Sequence, residues 1–282
     1  MRPALVIAAH GSKTPGWNAA VDDFVRDVAA TPGIGDAFAT VQAAYIEGSG
    51  PSLPDVVRLN LSSGCPEVVV IPLFLTVSTH VSEDVPGLLG LPVGQHVRRR
   101  LIAEGYSPLA PGLPVRLVSP GKLEDLLLKN VLRRTSLLSQ DKRHEAIVLC
   151  AYGSAIHHEA WEALLHALRT RLMQAGYGHA THAYVGHVVG MSPAPTAQAI
   201  VDSSRTAGVR RVMVVPLLVS VAALQEQIIA GAVADAERRV RMPVLYEADA
   251  ILPDGDLAAH LGFVALQALG IFPMIGERRT RA

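Results

Sequence analysis

The chain has 282 residues, half of them hydrophobic and 18% charged, and its 25 basic side chains balance 25 acidic ones. That balance argues against a nucleic-acid or membrane partner, apolar runs such as VVVIPLFLTV are too short to span a bilayer, and the Ala4–Ala9 run is too short for a signal-peptide core. Two cysteines, Cys65 and Cys150, make neither a metal-spacing motif nor a disulfide framework, so a cytoplasmic location is expected; eleven histidines are a mild excess and hint at metal handling.

In chain order, ALVIAAHGSKTPGW opens with an apolar strand at Ala4–Ala9 that delivers His10 to its own end, followed by a small-residue turn and a helix over Trp17–Ala30. The carboxyl end of such a strand is where open α/β sheets keep their chemistry. A second strand, Ala39–Ile46, delivers Glu47, and a helix follows over Ser52–Ser63. A third, Val68–Leu75, leads to His80, with helix again from Glu83 to Leu89. A short strand at Val115–Val118 and a helix over Lys122–Arg134 complete the set, and the polar joint LSQDKRHE follows.

The pattern then repeats. ALVIAAHGS at Ala4 returns as AIVLCAYGS at Ala146, and AAYIEGSGPS at Ala43 returns more loosely as HAYVGHVVGMSPAP at His182. PEVVVIPLFLTVSTHVSEDV at Pro66 returns as RRVMVVPLLVSVAALQEQII at Arg210, with Pro72 over Pro216. The echoes keep their order at one offset, so a duplicated unit is expected: residues 1–140 and 141–282. Strands of the second half are predicted at Ala146–Ala151, His179–Val185, Val212–Val219 and Pro243–Ala248. Short β-branched runs alternating with helical stretches predict an α/β fold, with a parallel sheet and helices on both faces in each half and a cleft where the strand ends meet.

Three strand ends of one parallel sheet then bring His10, Glu47 and His80 to one edge, because neighbouring strands lie about 5 Å apart. Two imidazoles and a carboxylate suit borderline divalent ions such as Fe²⁺, Co²⁺ and Ni²⁺. No GxxxxGK[ST] segment is present to hold a nucleotide.

On these residues the chain resembles the CbiX/SirB-type sirohydrochlorin chelatases, the class II tetrapyrrole chelatases. The first motif is an apolar strand and then His10, Gly11, Ser12 and Lys13; the second ends in His80, Val81, Asp84, Val85 and Pro86, with Glu83 in the usual acidic place; the strand-two glutamate lands on Glu47. The two-halved, flavodoxin-like layout resembles the longer bacterial members. Ser78 departs from the glycine usual two residues before the second histidine. In the second half Tyr152, Gly186 and Leu224 stand where His10, Glu47 and His80 stand in the first, so that half is expected to be degenerate.

The resemblance implies ATP-independent insertion of a divalent metal into sirohydrochlorin, for sirohaem or cobalamin synthesis, with His10, His80 and Glu47 catalytic. It implies a tetrapyrrole as the small-molecule partner, no nucleotide, and a monomer or homodimer. His10 and His80 would act as metal ligands and bases, in either division of labour, and Glu47 as third ligand or proton acceptor. Gly11 and Ser12, ahead of a helix, with Lys13 beside them, would receive a carboxylate of the ring, and Ser78 and Thr79 would lie against the macrocycle. Two alternatives stand beside this: a different metal acceptor, or a carrier that binds without turnover. Glu83 and Asp84 are expected as helix-start residues, and His158, Glu162 and His166 as a solvated helix face. A second site remodelled around Tyr152 and His187 stays open.

Overall fold

A computed structural model describes residues 1–272 other than Pro15, Ser49 and Val77. The first half runs β1 (Ala4–Ala9), α1 (Trp17–Ala29), a single turn α2 (Ile34–Ala37), β2 (Thr40–Tyr45), α3 (Leu53–Ser62), β3 (Val68–Pro72), α4 (Val85–Leu88), α5 (Gln95–Ala103), β4 (Val115–Leu117) and α6 (Glu124–Leu138). The second runs β5 (Glu145–Ala151), α7 (His158–Gln174), β6 (His179–Tyr184), α8 (Ala194–Ser204), β7 (Arg211–Leu217), α9 (Ala230–Glu237), β8 (Val244–Tyr246) and α10 (Gly255–Ala268). Two four-stranded parallel sheets result, ordered β2-β1-β3-β4 and β6-β5-β7-β8. The expected α/β class with two matching halves is the observed one.

Register makes the duplication geometric. Ala8 pairs with Pro72 in one sheet and Cys150 with Pro216 in the other, while Ala9 pairs with Tyr45 and Ala151 with Tyr184. Apart from Glu145 and Arg211, which open β5 and β7, the central strands are apolar because both their faces are covered. Leu5, Ile7 and Ala9 of β1 join Ile147, Leu149 and Ala151 of β5 in one shared core, whereas Ala4, Val6 and Ala8 pack outward against α3, α4 and α5. Ala146, Val148 and Cys150 pack outward against α8 and α9.

The middle layer holds an exchange that no repeat-by-repeat reading anticipates. Helix α6, which closes the first half, packs on α7 and β7; helix α10, which closes the second, packs on α1, α2 and β3. Gly262 lets α10 approach the turn after α1, since a Cβ there would meet Thr31 at 2.7 Å.

Several boundaries differ from expectation. Strand β3 stops at Pro72 rather than Leu75, because its neighbour β1 ends at Ala9 and leaves nothing to pair with. Ser52 caps α3 instead of belonging to it, its hydroxyl accepting from Asp55 N–H at 3.3 Å. Helix α6 runs on to Leu138, past the predicted Arg134. The helix predicted from Glu83 begins earlier, as a π-helical turn over His80–Asp84 in which Val85 N–H reaches back five residues to His80 O. Among the described residues no helix is long and apolar enough to cross a membrane.

Candidate metal centre

His10 follows β1 directly, and Glu47 leaves the end of the adjacent β2, tied to it by Glu47 N–H donating to His10 O at 2.7 Å. The two loops touch backbone to backbone. A Cβ on Gly11, whose φ is +90°, would stand 1.9 Å from Glu47 O, so only glycine fits there. His80 arrives from the far side of β1, after β3, on the π-helical turn. The three predicted donors converge: each offers a ligand atom, and these atoms all lie within 4.8 Å of one another. The His10 and His80 rings meet edge to face with centroids 4.7 Å apart, and Phe74 stacks beside His80 at 6.0 Å. Among the described residues no other trio of His, Cys, Asp or Glu gathers this closely. Donors bound about 2.1 Å from one ion lie at most about 4.2 Å apart, near the limit of 4.8 Å within which these atoms lie.

Hydrogen bonds decide which imidazole nitrogens are available. His80 Nδ1 is 2.7 Å from Asp84 Oδ2, and His10 Nδ1 is 2.9 Å from Gly11 O. Carboxylate and carbonyl oxygens only accept, so both Nδ1 atoms carry the hydrogen and both Nε2 lone pairs are left for an ion or a proton. Asp84 is therefore more than a helix-start residue. Its other oxygen accepts from Arg100 Nη2 at 2.5 Å, and Arg100 also reaches Glu83 and Glu104. Burial works against ionisation of Asp84, but the hydrogen bonds from His80 and Arg100 and the guanidinium charge outweigh it, holding the carboxyl below its usual range.

A cavity of about 580 Å³ opens beside the donors, lined by Lys13, Glu47, His80, Arg100, Glu104 and Tyr106 among others. Burial, then the Glu47 charge, pushes the Tyr106 phenol up to about 12. A second cavity of about 330 Å³ lies between the halves, with Phe74, Thr76 and Val81 on one side and Ala160, Ala163 and Leu164 of α7 on the other.

Sequence reasoning passed over Asp84, Arg100 and Tyr106 as parts of the site. For Asp84 the signal was its place four residues after His80. For the other two there was none, since α5 and the loop after it meet the site only in the folded sheet.

The remaining predicted residues fall as follows. Lys13 is exposed on the cavity rim. Ser12 sits five residues ahead of α1 rather than at its first turn; its N–H donates to Asn18 Oδ1 at 3.1 Å and its hydroxyl accepts from Thr14 N–H at 3.0 Å. The amide expected to greet an anion is thus used inside the loop. Ser78 and Thr79 open the π-helical turn, with the Ser78 carbonyl accepting from Val81 and Ser82.

In the second half, Gly186 is required by Tyr152, whose backbone oxygen a Cβ would meet at 2.4 Å. Tyr152 and His187 are edge to face at 6.0 Å. Of the expected solvated face on α7, His158 and His166 are exposed, whereas Glu162 accepts from Tyr184 Oη at 2.6 Å and pairs with His182 at 3.2 Å.

Residues 4–117 match the CbiX family model. A sirohydrochlorin cobaltochelatase of Methanopyrus kandleri is 33% identical over 88 residues, which are 31% of this chain and 59% of that protein. One of Methanocaldococcus jannaschii is 30% identical over 93 residues, 33% of this chain and 62% of its own. The chain thus spans about 60% of the length of these curated relatives. The structure of SirB from Bacillus subtilis with Fe³⁺ superposes with a TM-score of 0.67 at 16% identity, covering 96% of this chain and 99% of that one; it bears on the fold alone. Residues 4–117 are thus similar to the CbiX family, and a second sheet of the same strand order follows them.

Proposed function

We propose that this chain is a metal chelatase that inserts Co²⁺ or Fe²⁺ into sirohydrochlorin without ATP, in sirohaem or cobalamin synthesis. The observation that carries the reading is the convergence of His10, Glu47 and His80 beside an open cavity; the cobaltochelatase relatives of the first half support it. The donors also suit Ni²⁺, and cellular supply decides among such ions. We assign the working site to residues 1–140 and read 141–282 as its degenerate copy, in a cytoplasmic monomer or homodimer.

Metal insertion exchanges two pyrrole N–H protons for one divalent ion, so the site must offer the ion and accept two protons. His10 and His80 present Nε2 lone pairs toward the shared point, where each can hold the ion and then take a proton as the ion passes to the ring. Glu47 supplies the anionic partner, on the same cavity wall as Tyr106. Lys13 is placed on the rim to meet a carboxylate of the ring. Phe74, stacked on His80, keeps that imidazole at its angle.

Purified protein incubated with sirohydrochlorin and Co²⁺ or Fe²⁺ should change the absorbance far faster than the spontaneous reaction. His10→Ala and His80→Ala should each lower kcat by about 100-fold or more, the usual worth of a positioned acid or base. Metal binding without acceleration would make the chain a carrier, and indifference to sirohydrochlorin would point to another acceptor.

A further inference from the structure

We propose that Asp84, braced by Arg100, is a positioning residue for His80: it holds the imidazole hydrogen on Nδ1 and aims Nε2 at His10 and Glu47. This rests on the reading of His80 as a metal donor.

Three observations carry it. Both Asp84 oxygens are spoken for, one by His80 Nδ1 at 2.7 Å and the other by Arg100 at 2.5 Å, and the side chain is only 6% exposed. The ring is thus gripped from behind by a group that is itself pinned.

The grip lies along the π-helical turn, where positions four apart stack on one side. The same turn recurs in the second half over Leu224–Ile229. From the paired prolines, Pro72 and Pro216, position eight is His80 in one half and Leu224 in the other, and position twelve is Asp84 and Ile228. The turn therefore forms without a carboxylate at position twelve, and the molecule keeps one there only where it keeps the imidazole.

Arg100 completes the arrangement. It lies on α5, between the π-helical turn and β4; no counterpart helix stands between α9 and β8 in the second half. A buried carboxylate is costly unless paired, so a fold gaining nothing from Asp84 would be served as well by the isoleucine it uses elsewhere. A carboxylate behind a ligating imidazole makes it a stronger donor and fixes its direction, commonly worth 10–100-fold in metal affinity.

The test uses the full chain and Co²⁺ alone, read by the visible ligand-field band with no tetrapyrrole present. Asp84→Ala should weaken Co²⁺ binding by about 10–100-fold and alter the band; Asp84→Asn, the same shape without the charge, should fall between wild type and Asp84→Ala. In a His80→Ala background, Asp84→Ala should cost nothing further, because the carboxylate acts only through that ring. Unchanged affinity and band in both Asp84 variants, or an equal loss with and without His80, would overturn the proposal. If His80→Ala itself leaves Co²⁺ binding untouched, the donor reading falls and takes this inference with it. Metal insertion measured separately with sirohydrochlorin tells that failure from a failure of chelation.

Discussion

At Gly11 one hydrogen atom decides whether the site can exist. The loop after β1 passes so close under Glu47 O that a methyl group has no room, and φ of +90° would strain any other residue. Gly11→Ala should therefore separate Glu47 from the histidines and abolish tight Co²⁺ binding, as a titration followed in the visible would record. Glu145 acts at the same scale on stability. It is buried at the start of β5, accepting from Ser139 Oγ at 2.6 Å and from the amides of Gln140 at 2.8 Å and Asp141 at 3.1 Å, with Arg211 nearby. Burial opposes its ionisation, yet those hydrogen bonds prevail and hold the carboxyl below its usual range. A carboxyl depressed by folding binds fewer protons folded than unfolded, so its contribution is present above the unfolded pKa and is lost as pH falls through the folded one. Glu145→Gln should flatten the acid limb of stability against pH in urea titrations; an unaltered slope would place the acid sensitivity elsewhere.

Between elements, the exchanged helices α6 and α10 are joined by a buried polar knot. Asn130 on α6 donates to Ile251 O at 3.0 Å and to Asp254 Oδ2 at 2.6 Å, and Arg133 reaches the same carboxylate at 2.9 Å. Asp254 also caps α10, its other oxygen accepting from Leu257 N–H at 3.0 Å. Arg134 next to it donates to Pro216 O at 2.9 Å and pairs with Asp249. Asp254→Ala removes a cap and orphans a buried amide, so it should destabilise the fold by about 2–4 kcal/mol, measurable as a lower urea midpoint at an unchanged m-value. Because none of the knot's residues lines the donor cavity, Co²⁺ affinity of the folded variant should stay as in the wild type.

For the molecule as a whole, the inner faces of both sheets contribute to one apolar core, and each half lends its last helix to the other. The strand-end loops meet as well, with Ser220 Oγ on the second half donating to Trp17 O on the first at 3.3 Å. The two matching halves thus share one core, and calorimetry should record a single unfolding transition with matching calorimetric and van't Hoff enthalpies. Two resolved transitions would mean that the exchanged helices contribute little to either half.

Much of this was legible in the chain itself. The apolar runs set the central strands to within a few residues, since a strand buried on both faces must be hydrophobic at every position. The repeat echoes gave the two halves, and His10, Glu47 and His80 stood out because each ends or follows a strand of one parallel sheet. Pattern ran out where function depends on side chains meeting across elements. Asp84 looked like a helix-start acid, and nothing in Gln95–Ala103 tied Arg100 to a histidine twenty residues earlier. Ser12 precedes a helix in the sequence, yet the loop turns its amide toward Asn18. The exchange of α6 and α10 had no sequence sign either, because an amphipathic helix states how much surface it must bury but not against which sheet. What the sequence alone determined is the chemistry available at each strand end, through period and residue type; what only the tertiary structure decided is which groups share a hydrogen bond, through distances that no local pattern encodes.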